Sequence, residues 1–480
     1  MKRTILSLAA GAALLAGAPA SAQPDFPTTP PRPTGAPRVD LPEPTRMRLP
    51  NGLTVMYVRM AELPVVSAAL VTRGAGSSDE PADAPGLASF TANMLDEGAA
   101  GRDALQLADA LDLLGASLST GSGTDAAQAN LYVLRQNFPA ALRLMADVVV
   151  RPDFPEREVN RLRDERLTAL ARAKDEATTI ANNAFASLVY GAQHPYGRYA
   201  STASTQGLNR GRVQAFHASR FRPESSTLIL VGDVDPAAMQ PIVAEAFGAW
   251  RGQGSAGAVA DLPAPPAIGR TVVYLIDKPG AAQSEIRIGH PGVPRSSPDY
   301  FALQVLNTIL GGSFTSRLNT NLRETHGWSY GARSSFQMLR GAGPFTAQAG
   351  VQTNATDSSL VEFFKEINRI RTEPVTQQEL DKIKNFVALR LPDQLETTQD
   401  VAFQLANLET YGLDASFYDD YVQRVMAVTA DDLRRVANQY VRPDRAVVVV
   451  VGDRQVVEAA VRAANVGPVE IREVTEFVRE

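Results

Sequence analysis

FRPESSTLILVGD, Phe221–Asp233, returns near the end of the chain as VRPDRAVVVVVGD, Val441–Asp453. Pro223 and Pro443 are 220 residues apart, and so are Gly232 and Gly452. Each copy reads as a helix ending near the Arg-Pro pair, a buried strand, and a Gly-Asp turn into another helix. The front ends match more loosely. TANMLDEG (Thr91–Gly98) lies over VLNTILGG (Val305–Gly312) at an offset of 214. In each copy a second helix follows, then a lone glycine (Gly115, Gly327) and a strand. Glycine just past a helix is the expected left-handed cap. Two copies of about 220 residues fit a duplicated domain rather than a solenoid.

Working outward, GQGSAGAVADLPAPPA (252–267) reads as the linker, which leaves an N-terminal half at 46–251 and a C-terminal half at 268–480. Leu53–Val58 follows an Asn51-Gly52 pair, a hairpin signal, and Val65–Val71 is a second strand. Glu156–Lys174 is a charged helix with Val159, Leu162, Leu167 and Leu170 pointing inward. The expected class is α+β: two homologous halves, each a sheet covered by helices, in a clamshell-like pair.

The first residues read as a targeting signal. Lys2 and Arg3 precede an apolar run from Ile5 to Gly17, and Ala20-Ser21-Ala22 offers a cleavage site before Gln23. The run is shorter than the roughly 20 residues a membrane span needs. Signal peptide 1–22 therefore predicts export, to a bacterial periplasm. Residues 23–45 follow as a proline-rich extended lead-in, with eight prolines between Gln23 and Pro44. The formal net charge is −5 and becomes −7 once Lys2 and Arg3 leave with the signal, with no basic run. That balance gives no case for nucleic acid or anionic lipid. The absence of cysteine excludes disulfides and thiolate metal sites.

GLASFTANMLDEG, Gly86–Gly98, looks like a short helix with Leu87, Phe90, Met94 and Leu95 at helical spacing. Its other side offers Ser89, Ala92 and Asn93. Together with LPNGLTV (Leu49–Val55), HPYG (His194–Gly197), the FRPESSTLILVGD copy and LGGSFTSRLNTNLRETHGWSYG (Leu310–Gly331), these stretches resemble the insulinase-type (pitrilysin, processing-peptidase-like, M16) metallopeptidases. The resemblance spans nearly the whole mature chain. In such enzymes the opening helix carries His-x-x-Glu-His, two histidines binding zinc and a glutamate activating water. The resemblance puts Ser89 and Asn93 at the histidine positions and Ala92 at the glutamate. A later glutamate ligand falls near Thr168, Ala169 or Leu170. All four zinc-site roles are absent, and the expected metal content of this chain is none.

The four histidines, His194, His217, His290 and His326, form no close pair. A zinc peptidase uses three protein ligands and an open position. They read as turn, packing and capping residues. The pairs Asp96-Glu97 and Asp164-Glu165 read as solvated helix-surface charges.

The resemblance also implies an arginine and a tyrosine, seven residues apart in the C-terminal half, that contact the substrate backbone and steady the tetrahedral intermediate. Here they are Arg323 and Tyr330. Leu310, Phe314, Leu318 and Leu322 make an i, i+4 stripe, which predicts one packed helix with Arg323 near its end, stopped by Gly327. Alone, Arg323 reads as a solvated cation near a helix C-terminus and Tyr330 as a half-buried strand aromatic. The motif match turns both toward function.

The expected function is the non-zinc subunit of a heterodimeric periplasmic peptidase. Peptides are its substrates, and a homologous partner bearing His-x-x-Glu-His supplies the zinc. The alternative is an inert scaffold or peptide-binding protein of the same fold.

Overall fold

The computed structural model describes residues 43–252, 259 and 261–478. The expected signal peptide, all of the proline-rich segment before residue 43, and positions 253–258 and 260 of the expected linker lie outside the described residues.

The strands are β1 (Thr45–Arg48), β2 (Thr54–Arg59), β3 (Val65–Arg73), β4 (Ser117–Ser122), β5 (Ala126–Leu134) and β6 (Ser226–Gly232). They form one six-stranded sheet in the order β1-β2-β6-β3-β5-β4. A second six-stranded sheet contains β7 (Val272–Asp277), β8 (Gln283–Pro291), β9 (Ser329–Phe336), β10 (Pro344–Gln352), β11 (Val447–Gly452) and β12 (Val469–Arg472). Its order is β9-β10-β8-β11-β7-β12. Read from the edge at β4 or β9, the first five strands have the same order, and in both sheets the repeated strand makes a parallel pair, β6 with β2 and β11 with β7. The fold is α+β in two sheet-containing halves.

The repeated strands explain why the sequence reads as it does. β6 and β11 are buried at every position. A strand covered on both faces loses the apolar–polar alternation of a half-exposed one. What covers the second face comes from the other half. Helix Thr398–Tyr411 lies against β3 and β6, and helix Ala177–Tyr190 lies against β8 and β11. Val447, Val449 and Val451 pack with Ile180, Ala184 and Phe185, while Val448 and Val450 join the core of their own half. Ile229 and Val231 share a core with Val401, Leu405 and the rest of the C-terminal helices. Each fully buried Val or Leu contributes about 1.5–3 kcal/mol, so these exchanged helices bind the halves firmly.

Polar contacts add to the exchange. The loop between β9 and β10 enters the N-terminal half, where the Arg340 backbone N–H donates to Asp125 Oδ2 at 2.8 Å. Arg340 Nη2 donates to Ser78 Oγ at 3.1 Å and Asp79 Oδ1 at 3.2 Å. Tyr196 donates its hydroxyl to Asp125 Oδ1 at 3.2 Å and accepts from the Gly341 N–H at 2.9 Å. The side chains of Asp79 and Asp125 are 0% and 1% exposed.

Three expectations change. The predicted helix through Leu310, Phe314, Leu318 and Leu322 is broken. A π-turn, Thr308–Gly312, gives way to extended Ser313, and helix resumes at Arg317 as one short α-turn running into a second π-segment, Thr320–Thr325. Leu310, Leu318 and Leu322 are buried, but Phe314 is 63% exposed. At the end of the first π-turn only glycine fits: a Cβ at Gly311 would sit 2.2 Å from Ser334 N, so the chain passes directly against β9 there. Ala92 does not share an open face with Asn93. It is fully buried, and its carbonyl accepts from Thr120 Oγ1 of β4 at 2.9 Å. Glu97 is not a free surface charge, since it pairs with Arg161 at 2.6 Å.

Candidate functional site

Arg323 and Tyr330, on different elements, line one cavity of about 580 Å³ floored by β8, β9 and β10. Arg323 lies in the second π-segment, and π-turns are frequent at functional sites. Asn321 pins that segment by donating to Glu362 at 2.6 Å and Glu366 at 2.9 Å. Gly327, at φ +67°, ends it and releases the chain into β9. There the register with β10 shifts between Ser329 and Ala332. A bulge re-aims the side chains around it. Ser329 Oγ secures this one, accepting from the Gly331 N–H at 3.0 Å and donating to Gly350 O at 2.8 Å. Tyr330 stands 89% exposed as a result.

Arg323 is held between two rings. Its Cζ lies 4.7 Å from the Phe314 centroid and 5.3 Å from that of Tyr330. Its Nε is 3.1 Å from Glu324 Oε1. A guanidinium stacked this way keeps its remaining N–H donors in a fixed plane, suited to carbonyl or carboxylate oxygens. Asn319 ties both sides together: its Oδ1 accepts from Ala332 N at 3.2 Å and its Nδ2 donates to Phe314 O at 2.7 Å. The sequence reads Phe314 only as part of a packed stripe and gives Asn319 no role, because their partners are set by the bulge and the broken helix.

The opening helix, Leu87–Asn93, is arranged around a different cation. Arg166, from helix Glu156–Ala173, donates through Nη1 to Gly86 O at 2.7 Å and through Nη2 to Ser89 Oγ at 3.3 Å. Its Cζ lies 5.1 Å from the Phe90 ring. Where the resemblance implies a metal ligand, Ser89 is engaged by a guanidinium. Asn93 and Ala169 are exposed. Among the described residues no group of three His, Asp or Glu side chains is placed to hold a metal ion.

The histidines have structural partners. His194 Nδ1 accepts from Tyr196 N at 3.0 Å, so its Nε2 carries the proton donated to Pro263 O at 3.0 Å. His290 Nε2 accepts from Arg442 N at 3.0 Å, and its buried ring is pushed down to about 4. His217 reaches Val149 O at 2.8 Å and stacks on Phe221. His326 stacks on Trp328.

Glu80 caps the opening helix, accepting from Gly86 N at 2.9 Å and Ala88 N at 2.6 Å. Burial pushes its carboxyl up to about 7, against the pull of those two N–H groups, Arg166 and Arg198. Its folded value lies above the ordinary 4.5, so its contribution to stability is complete below pH 4.5 and is lost as pH rises through about 7. The loss is on the order of 3 kcal/mol. The thermal midpoint should fall across that window, and Glu80→Gln, neutral at every pH, should flatten the fall. A wild-type slope that survives in Glu80→Gln would rule Glu80 out as its source.

Comparison with known proteins agrees with this architecture. The family described as Insulinase (Peptidase family M16) matches residues 55–197, and that described as Peptidase M16 inactive domain matches residues 207–387. An uncharacterized zinc protease of Mycobacterium leprae is 30% identical over 313 residues, 63% of this chain and 68% of that protein. One from Mycobacterium bovis is 27% identical over 82% of this chain and 90% of its own length. The crystal structure of a peptidase M16 inactive domain from Pseudomonas fluorescens superposes with a TM-score of 0.79 at 28% identity, covering 85% of this chain and 98% of that one. The first half of the periplasmic protease PqqL from Escherichia coli shares the fold, with a TM-score of 0.69 at 16% identity over 93% of this chain and 98% of that one. No helix among the described residues is long and apolar enough to cross a membrane. With matching profiles along both halves and this agreement in fold, the chain belongs to the insulinase (M16) peptidase family.

Proposed function

We propose that this chain is the non-zinc subunit of a heterodimeric peptidase exported to the periplasm. It binds peptides and stabilises their hydrolytic transition state in trans to a homologous partner bearing His-x-x-Glu-His. The observation that carries the reading is the pairing at the cavity: a guanidinium set against the Phe314 ring and the exposed phenol of Tyr330, in a chain whose opening helix is engaged by Arg166. Zinc in the partner supplies Lewis-acid activation of the attacking water. From this chain, Arg323 donates to the substrate backbone next to the scissile bond. Tyr330 donates its O–H to the oxyanion as it develops, and such a donor in a water-excluded site contributes about 3 kcal/mol.

The purified chain alone should hold no stoichiometric zinc by elemental analysis and hydrolyse no peptide. Purified with its partner, it should support hydrolysis that a chelator abolishes. Zinc retained by the isolated chain through its own side chains would overturn the assignment. A stable complex whose turnover does not depend on this chain would make it a scaffold instead.

A further inference from the structure

The charged side chains along the cavity are mostly arginines. Arg287 of β8, Gln348 of β10 and Arg333 of β9 are direct cross-strand partners, a row over three adjacent strands. The two arginines are two strand spacings apart, about 10 Å, and share one face of the sheet. Arg287 and Gln348 also line a second cavity, of about 340 Å³, whose wall includes Tyr196 and Arg198. The two cavities therefore adjoin along this row as one groove.

Its lining contains four arginines, Arg198, Arg287, Arg323 and Arg333, and a single carboxylate, Glu285. Glu285 is already committed to Arg287 at 2.8 Å, a pair whose side chains are 16% and 5% exposed. Asn182, from the exchanged helix of the N-terminal half, accepts from Arg287 Nε at 3.1 Å and fixes it from above. Arg333 is exposed, and its side chain makes no hydrogen bond or ion pair among the described residues. The chain as a whole has a formal net charge of −5, so this groove runs against the rest of the molecule. A concave surface lined by one sign of charge concentrates ligands of the opposite sign.

We infer that the groove selects peptides rich in Asp and Glu. This rests on the peptide-binding reading above and adds the substrate class to it. Arg333, exposed and without a side-chain partner, and Arg323 in the same cavity suit separate carboxylates along an extended chain, each a charge-assisted contact.

The test measures binding to the full mature chain without its partner, by fluorescence anisotropy. It uses three labelled peptides of equal length: one Glu-rich, one with Gln at those positions, one with Lys. The Glu peptide should bind roughly tenfold tighter than the Gln peptide, with the Lys peptide weakest, and added salt should close the gap. Arg333→Gln should weaken the Glu peptide about threefold and leave the Gln peptide unchanged, while Arg333→Glu should nearly close the gap between the two. Arg333 is exposed and unpaired, so both variants should keep the wild-type thermal midpoint. Equal binding of the three peptides, binding of none, or a Glu-over-Gln gap undiminished in Arg333→Glu overturns the inference. Competition by a short oligonucleotide as strong as that by the Glu peptide also overturns it, assigning the groove to polyanions in general. Binding is read on this chain alone, so loss of the in-trans catalytic role would leave the result standing, and the converse holds.

Discussion

Arg323→Ala should lower kcat/KM of the reconstituted complex about 1,000-fold, and Tyr330→Phe about 100-fold, without dissociating the subunits. The arginine carries the larger effect because its pose is prepared before substrate arrives. Phe314 and Tyr330 hold its plane at 4.7 and 5.3 Å, so little ordering remains for the binding step. Removing it loses both the donors and the alignment they impose. Arg323→Lys should recover little, since an ammonium is a point charge without the planar fork. Tyr330→Phe keeps the ring that stacks on Arg323 and deletes only the O–H, which isolates the oxyanion contact. Size-exclusion chromatography of each variant complex separates lost chemistry from lost assembly. Turnover within twofold of wild type in both variants would remove the in-trans role.

Arg340→Met should be the most damaging single change outside the cavity, costing about 3–5 kcal/mol. The Asp79 and Asp125 side chains are almost fully buried, and Arg340 is the cation between them, 3.2 Å from Asp79 and 3.8 Å from Asp125. Methionine matches the stem of the arginine but leaves two carboxylates desolvated without a counter-charge. Such a group costs far more than the intact pair contributes. The loop that carries Arg340 crosses from one half to the other, so the damage falls on the junction between them. The thermal midpoint should drop by several degrees. The triple variant Arg340→Met, Asp79→Asn, Asp125→Asn should regain most of the loss, because no buried charge is then left unpaired. A midpoint unchanged in Arg340→Met would show that the network contributes nothing to holding the halves.

The duplication was legible because its signal is local and chemical. An Arg-Pro break, an unbroken apolar run and a Gly-Asp turn can be read from neighbours alone, and they recur at one offset in β6 and β11. The five-strand order common to the two sheets follows that pattern. The stretch from Leu310 to Leu322 was misread for the complementary reason. Its leucine spacing obeys helical periodicity, but Gly311 passes within backbone contact of Ser334, a residue 23 positions away, the chain turns extended at Ser313, and Phe314 faces outward.

At the site, residue types suggested Arg323 and Tyr330, but the clamp on Arg323 depends on that same break and on the β9 bulge. Ser89 shows the same limit. Its side chain names no ligand, and only folding brings Arg166 to it from 77 residues downstream.

By itself, then, the sequence determined the strands, the repeat, the family resemblance and the residue types missing from the opening helix, since each is written in short-range pattern. The tertiary structure decided the exchange of helices between halves, the Arg340 junction, the fixed plane of Arg323 and the arginine row under it. Those depend on which distant side chains burial forces together, and burial is a property of the assembled surfaces rather than of any local stretch.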